Sequence, residues 1–122
     1  GQRDLEALGM DRVFETPKPV ELIKLLLSVS AVPDALVLDF FAGSGSTAEA
    51  VMRLNATDGG QRRFIMVQLD EPCAPDSSAS RAGHHDIAAL GRERIRRAGA
   101  AIRAEDGDGD VGFRALRLVP LE

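Results

Sequence analysis

Asp39 ends an apolar run, Leu36-Val37-Leu38. After it come Phe40-Phe41-Ala42-Gly43-Ser44-Gly45-Ser46-Thr47 and a helix-forming stretch, Ala48 to Leu54. Two kinds of chemistry meet there. Glycines at 43 and 45 lack a Cβ, so the amides of such a bend approach a ligand closely. The helix start beyond them offers unpaired N–H groups and partial positive charge to an anion. The carboxylate of Asp39 has the opposite preference, repelling a pyrophosphate and pairing with an ammonium. A phosphate loop of the G-x-x-x-x-G-K-[ST] kind needs a lysine after the second glycine, and Ser46 stands there instead. The G-x-G-x-x-[GA] spacing of dinucleotide sites is met with Ala48 in the last position, but that spacing alone discriminates poorly. A ligand with both an amine and a carboxylate satisfies both ends, as the methionine end of S-adenosylmethionine does. A plain strand-turn-helix in which Asp39 only caps the turn uses the same residues.

Positioning these groups requires a strand that ends at Asp39 and a helix that starts after Gly45. Before them, Pro17 and Pro19 favour an extended entry and a helix start. Leu22, Ile23, Leu26 and Val29 then share one helical face, expected to pack on the sheet. Pro33-Asp34 reads as a turn, and Asn55 to Gly60 has turn composition. A second strand over Phe64–Leu69 is nearly all apolar, as expected of a parallel strand covered on both faces. Strand, helix and strand make a βαβ unit. At the end of the second strand, Gln68, Asp70 and Glu71 can accept hydrogen bonds from ribose hydroxyls, or a solvated turn acid can sit there.

The remainder of the chain has less chemistry. Residues 72–83 have loop composition and include Cys73, read as an incidental thiol because no base lies nearby. His84 and His85 are adjacent, so they point apart on a helix, and no metal site is expected. The longest helix is expected over 84–104. Its inner face carries Ile87, Leu90, Gly91, Ile95, Ala98 and Ile102, and Arg92, Glu93, Arg96, Arg97 and Arg103 face outward. That outer face reads as salt-bridged and solvated, with DNA phosphate contact as the alternative. Asp106 to Asp110 lacks the glycine and glutamate of a calcium loop and reads as a polar turn. Gly112–Leu118 reads as a third strand, at a sheet edge.

Asp39-Phe40-Phe41-Ala42-Gly43-Ser44-Gly45-Ser46-Thr47 resembles the D-x-F-x-G-S-G-T-T cofactor motif of amino-group DNA methyltransferases. More narrowly, the chain resembles the methylation subunit of type III restriction-modification systems. Phe14 to Ile23 is similar to that family's F-x-T-x-K-P-x-x-L-I segment, and Leu54-Asn55 with Asp58 to Ile65 to its L-N-x-x-D-G-G-x-R-x-F-I linker and strand. Glu93 to Ala98 matches its E-R-I-R-R-A helix, and Gly112-Phe113-Arg114 its G-F-R strand. The resemblance implies an α/β fold, part of a Rossmann-like methyltransferase sheet with three mainly parallel strands and helices on both faces. It also implies that Thr16, Lys18 and Pro19 help line the pocket for the methionine part of the cofactor, a solvated Lys18 being the alternative. It favours Glu71, then Gln68, for the ribose.

At 122 residues the chain is one domain with a small core. Residues 1–13 read as a tail and 14–122 as the S-adenosylmethionine-binding subdomain. A net charge of −4 excludes a chain that binds nucleic acid by overall charge, and the absence of Trp and Tyr leaves few base-stacking platforms. One cysteine excludes an internal disulfide, which suits a cytoplasmic location. No apolar run is long enough to span a membrane. The family's catalytic loop, [DNS]-P-P-[YFW], has no counterpart, because the chain has no Pro-Pro dipeptide. The resemblance therefore implies the cofactor half of an enzyme that methylates DNA, with the exocyclic amine of adenine as the favoured target. It implies a restriction subunit as partner, self-association of the methyltransferase, and no activity of this chain alone. A small-molecule methyltransferase fragment and a non-catalytic nucleotide-binding or assembly module are the other readings.

Overall fold

The computed structural model describes every residue except Glu15, Ala31, Asp108 and Glu122, and the side chain of Asp106. Asp108, in the expected polar turn, and Glu15, in the entry segment, thus lie outside the described residues. The elements in order are α1 (Gln2–Ala7), α2 (Val20–Ser30), β1 (Leu36–Asp39), α3 (Ser46–Asp58), β2 (Arg63–Met66), α4 (Ser78–Arg81) and α5 (Ile87–Asp106). β1 and β2 pair in parallel, Leu36 opposite Arg63 through Asp39 opposite Met66. The ladder runs past the strand ends: Val67 donates to the Asp39 carbonyl at 2.8 Å, and Ala42 donates to the Val67 carbonyl at 3.0 Å. This fixes the start of the glycine bend on the end of β2.

α3 is the crossover helix and the centre of the molecule. Ala48, Glu49, Ala50, Val51, Met52 and Leu54 are all buried, because α2 packs on one side and α5 on another. Its C-terminus is stopped by Gly59 and locked by Arg62. Arg62 is buried, reaches both Asp58 oxygens at 2.8 and 3.0 Å, and shares backbone and side-chain hydrogen bonds with Asn55. The Asn55–Gly60 stretch is thus mostly helix, since these side chains satisfy the helix end themselves.

Several expectations are corrected. Residues 1–13 are not a tail: α1 and the residues after it bury Leu5, Leu8 and Met10 in the same cluster as Leu90, Ile95 and Ala98 of α5. The Asp4 carboxylate accepts from the Val20 amide at 3.1 Å and so ties α1 to α2. The buried face of α2 is Val20 and Leu27 with Ile23 beside them, while Leu22, Leu25, Leu26 and Val29 are exposed. α2 is apolar on two faces, so its periodicity allows two answers, and the face against α3 wins. Residues 112–118 form no strand. Val111 and Phe113 pack against the core, and Leu116 and Leu118 stay exposed. A cleft of about 1090 Å³ lies between this segment and β2, so no ladder bonds form there.

The sheet therefore has two strands among the described residues, and helices cover one face. Val37, Phe64 and Met66 point into the helical layer. Leu36, Leu38 and Ile65 on the other face are each about half exposed, so β2 is not covered on both sides. No helix among the described residues is long and apolar enough to cross a membrane.

Candidate functional site

β1 delivers Asp39 to the bend, where one oxygen accepts from the Phe41 amide at 2.9 Å and the other from the Thr47 hydroxyl at 2.7 Å. The carboxylate thus bridges the two ends of the bend, from the strand tip to the first turn of α3. Phe40 and Phe41 are largely exposed beside it. Gly43 and Gly45 hold φ of 53° and 84°, a region that costs a residue with a Cβ. These are the positions at which the sequence requires glycine.

The bend satisfies many of its own amides. Gly45 donates to the Ala42 carbonyl at 2.9 Å, and Gly43 donates to the Gln68 side chain at 2.8 Å. With Phe41 and Ala42 also engaged, the amides the bend does not itself satisfy are those of Ser44 and the first turn of α3, where Ser46 and Ala48 are buried and Thr47 is partly exposed. Gln68 therefore acts as a brace from the end of β2. One lone pair of its oxygen is taken by the bend.

The inner side of the bend faces α5. Ser44 and Ser46 are buried, their hydroxyls 3.2 Å apart, and both lie within reach of Arg94. Arg94 is the residue sequence reasoning missed. Its signal was present: it lies between Leu90, Gly91, Ile95 and Ala98 on an apolar helical face, where a charge requires a partner. That partner is Glu49, 2.6 Å away and equally buried, among Ala48, Ala50 and Val51.

The remaining predicted residues divide. Thr16, Lys18 and Pro19 are exposed, and what reaches the bend from their segment is Phe14, whose ring would lie 3.4 Å from a Cβ on Gly43. Glu71 is exposed at the residue level while its backbone carbonyl accepts from Ile87 at 2.9 Å, pinning the loop to the start of α5. Nearby, burial and then Asp86 push the Cys73 thiol pKa up, against a reactive thiolate. The large cleft is lined by Ala42, Gly43, Gly45 and Gln68 but not by Asp39. Two arginines on the outer face of α5 are engaged locally. Arg96 lies over the Phe113 ring, and Arg97 pairs with Glu93 while donating to the carbonyls of Leu8 and Gly9.

A carboxylate at a strand tip, a left-handed glycine bend and an uncapped helix start form an arrangement that can hold a zwitterion. The chain matches the family model described as DNA methylase over residues 2–76. It is similar to the Type III restriction-modification enzyme StyLTI Mod subunit of Salmonella typhimurium, 44% identical over 120 residues, or 97% of this chain and 18% of the relative. It is similar also to the EcoPI Mod subunit of Escherichia phage P1, 39% identical over 117 residues, or 95% of this chain and 18% of the relative. The Type II methyltransferase M.KpnI of Klebsiella pneumoniae is 40% identical over 84 residues, 69% of this chain and 20% of the relative. The chain spans a fifth or less of the length of each of these relatives. With the glycine bend inside a family match that takes in more than half its residues, the chain belongs to the DNA methylase family.

Proposed function

We propose that this chain supplies the S-adenosylmethionine-binding part of a site-specific DNA amino-methyltransferase of a restriction-modification system. One observation carries the reading: the Asp39 carboxylate is turned onto the bend, bonded to Phe41 and Thr47. A carboxylate has about four acceptor sites, so two remain for an ammonium. The acid end of the same ligand then has the first-turn amides of α3. Those residues fit a sulfonium amino acid, and Glu71, exposed at the end of the β2 segment, is placed in sequence to receive ribose hydroxyls.

S-adenosylmethionine, when bound, supplies an electrophilic methyl group. This chain binds and orients that donor, and Thr16, Lys18 and Pro19 flank its methionine end. The acceptor is the exocyclic amine of a DNA base, with adenine favoured, and the full-length enzyme works as a self-associated methyltransferase with a restriction subunit. The 122-residue chain by itself is inactive, since it carries no Pro-Pro loop to hold the base.

Calorimetric titration of the full-length protein tests this. S-adenosylmethionine should bind in preference to NAD or ATP, and Asp39→Asn should weaken it by roughly tenfold or more, a typical cost for losing a charge-assisted bond. Asparagine still accepts from the Phe41 amide, so the turn should persist. Equal binding of the three ligands, or unchanged affinity in the variant, refutes the reading.

A further inference from the structure

α5 passes directly beneath the glycine bend. A Cβ on Gly91 would lie 3.0 Å from the Gly43 carbonyl oxygen, and one on Gly45 would lie 3.2 Å from the Gly91 carbonyl oxygen. At that crossing Arg94 has no solvent exposure. Its Nε donates to Glu49 at 2.6 Å. Its Nη1 lies 3.2 Å from the Ser44 carbonyl oxygen, 3.0 Å from the Ser44 hydroxyl and 3.2 Å from the Ser46 hydroxyl. One guanidinium therefore joins α5, the bend and the first turns of α3.

Stability alone explains this group poorly. Burying a guanidinium and a carboxylate costs each ion its hydration, and apolar residues of similar volume often do as well or better. Here Nη2 also finds no partner among the described residues. Glu49, moreover, has a second cation, with Arg53 Nε at 2.7 Å. What no apolar side chain supplies is the set of contacts to three oxygens of Ser44 and Ser46. The rigid fork of arginine can hold several acceptors in fixed relation, which a lysine ammonium does not do.

We propose that Arg94 is a positioning residue for the bend: it fixes Ser44 and Ser46 against Glu49 and thereby sets the geometry that Asp39 and the start of α3 present to the methyl donor. The step to the methyl donor rests on the function proposed above, whereas the step to the bend does not. Arg94 touches no ligand in this scheme and acts through backbone placement alone.

The test uses Arg94→Lys and the pair Arg94→Met with Glu49→Gln in the full-length protein. The double variant leaves no fully buried charge unpaired: Arg53 is partly exposed, can still donate to the new amide oxygen and keeps Glu105 at 3.7 Å, so the variant should melt close to the wild type. Amide hydrogen exchange over residues 43–48, without ligand, should nevertheless be roughly tenfold faster or more, and the Kd for S-adenosylmethionine should rise roughly tenfold to hundredfold, the scale of hydrogen bonds to a charged group. Arg94→Lys keeps the charge and should show the same two changes in smaller degree. Unchanged exchange over 43–48 overturns the proposal. Faster exchange with unchanged affinity overturns its link to the methyl donor. If the double variant does not fold, Arg94→Lys decides by the same criteria. If the wild type fails to bind S-adenosylmethionine, the function proposed above falls, and the exchange measurement still decides the role of Arg94.

Discussion

Replacing Gly91 by alanine sets two effects of comparable size against each other. Gly91 lies inside α5 without a positive φ, so alanine should favour the helix by about 1 kcal/mol. Against this, the new methyl meets the Gly43 carbonyl oxygen at 3.0 Å, with Ser44 C and Gly45 N at 4.0 Å. The obstacle is backbone, and that backbone is held by Gln68 on one side and Arg94 on the other. It cannot swing away as a flexible side chain would. Overpacking of this kind costs about 1–3 kcal/mol. The net expectation is a loss of roughly 1 kcal/mol, read by urea unfolding of the chain with the slope unchanged. Ala100→Gly, at an exposed site on the same helix, calibrates the propensity effect and should cost about 1 kcal/mol. If Gly91→Ala instead stabilises the chain by the calibrated amount, the methyl has room, and α5 does not press on the bend.

Two other outcomes follow from the geometry. The Asp58 carboxyl is held below its ordinary value of 3.8, first by the Arg62 hydrogen bonds and then by the Gly60 amide. Folding lowers that pKa, so the contribution is complete above about pH 3.8 and is lost as the pH falls through the lower folded value. Asp58→Asn should therefore be less stable than the wild type at neutral pH, with the gap closing only below pH 3.8 in urea unfolding across a pH series. The uncovered sheet face should make the 122-residue chain self-associate as its concentration rises, and Leu38→Lys with Ile65→Glu, a cross-strand pair in register, should abolish this in sedimentation. A wild-type chain that stays monomeric at high concentration counts against that face as the cause.

The bend was legible because its information is local. Residue types at 39, 43 and 45 dictate a strand end, a tight glycine bend and a helix start, and the structure places all of them so, adding positive φ at both glycines. The βαβ order was legible for the same reason, since periodicity changes from strand to helix within each segment. What could not be read was set by partners far along the chain. Arg94 looks like one more charge in an arginine-rich helix until Glu49, 45 residues earlier, arrives opposite it. The face of α2 was ambiguous because two of its sides are apolar, and only the position of α3 selects Val20 and Leu27. Residues 112–118 have strand composition without a partner strand to pair with, and composition cannot supply hydrogen bonds.

The bend differs from the usual picture of a glycine loop in a way that bears on how it would bind. The amides of Phe41, Ala42, Gly43 and Gly45 are already taken within the chain. Glycine at 43 and 45 therefore serves less to bare donors than to let α5 and the β2 end approach from two sides. A loop braced this way does not need to be ordered by its ligand, so little conformational entropy is lost on binding. Its affinity should then depend on the alignment of few groups, Asp39 and the first turn of α3 above all. That is why substitutions beneath the bend, which touch no ligand, are expected to act on affinity as strongly as substitutions in it.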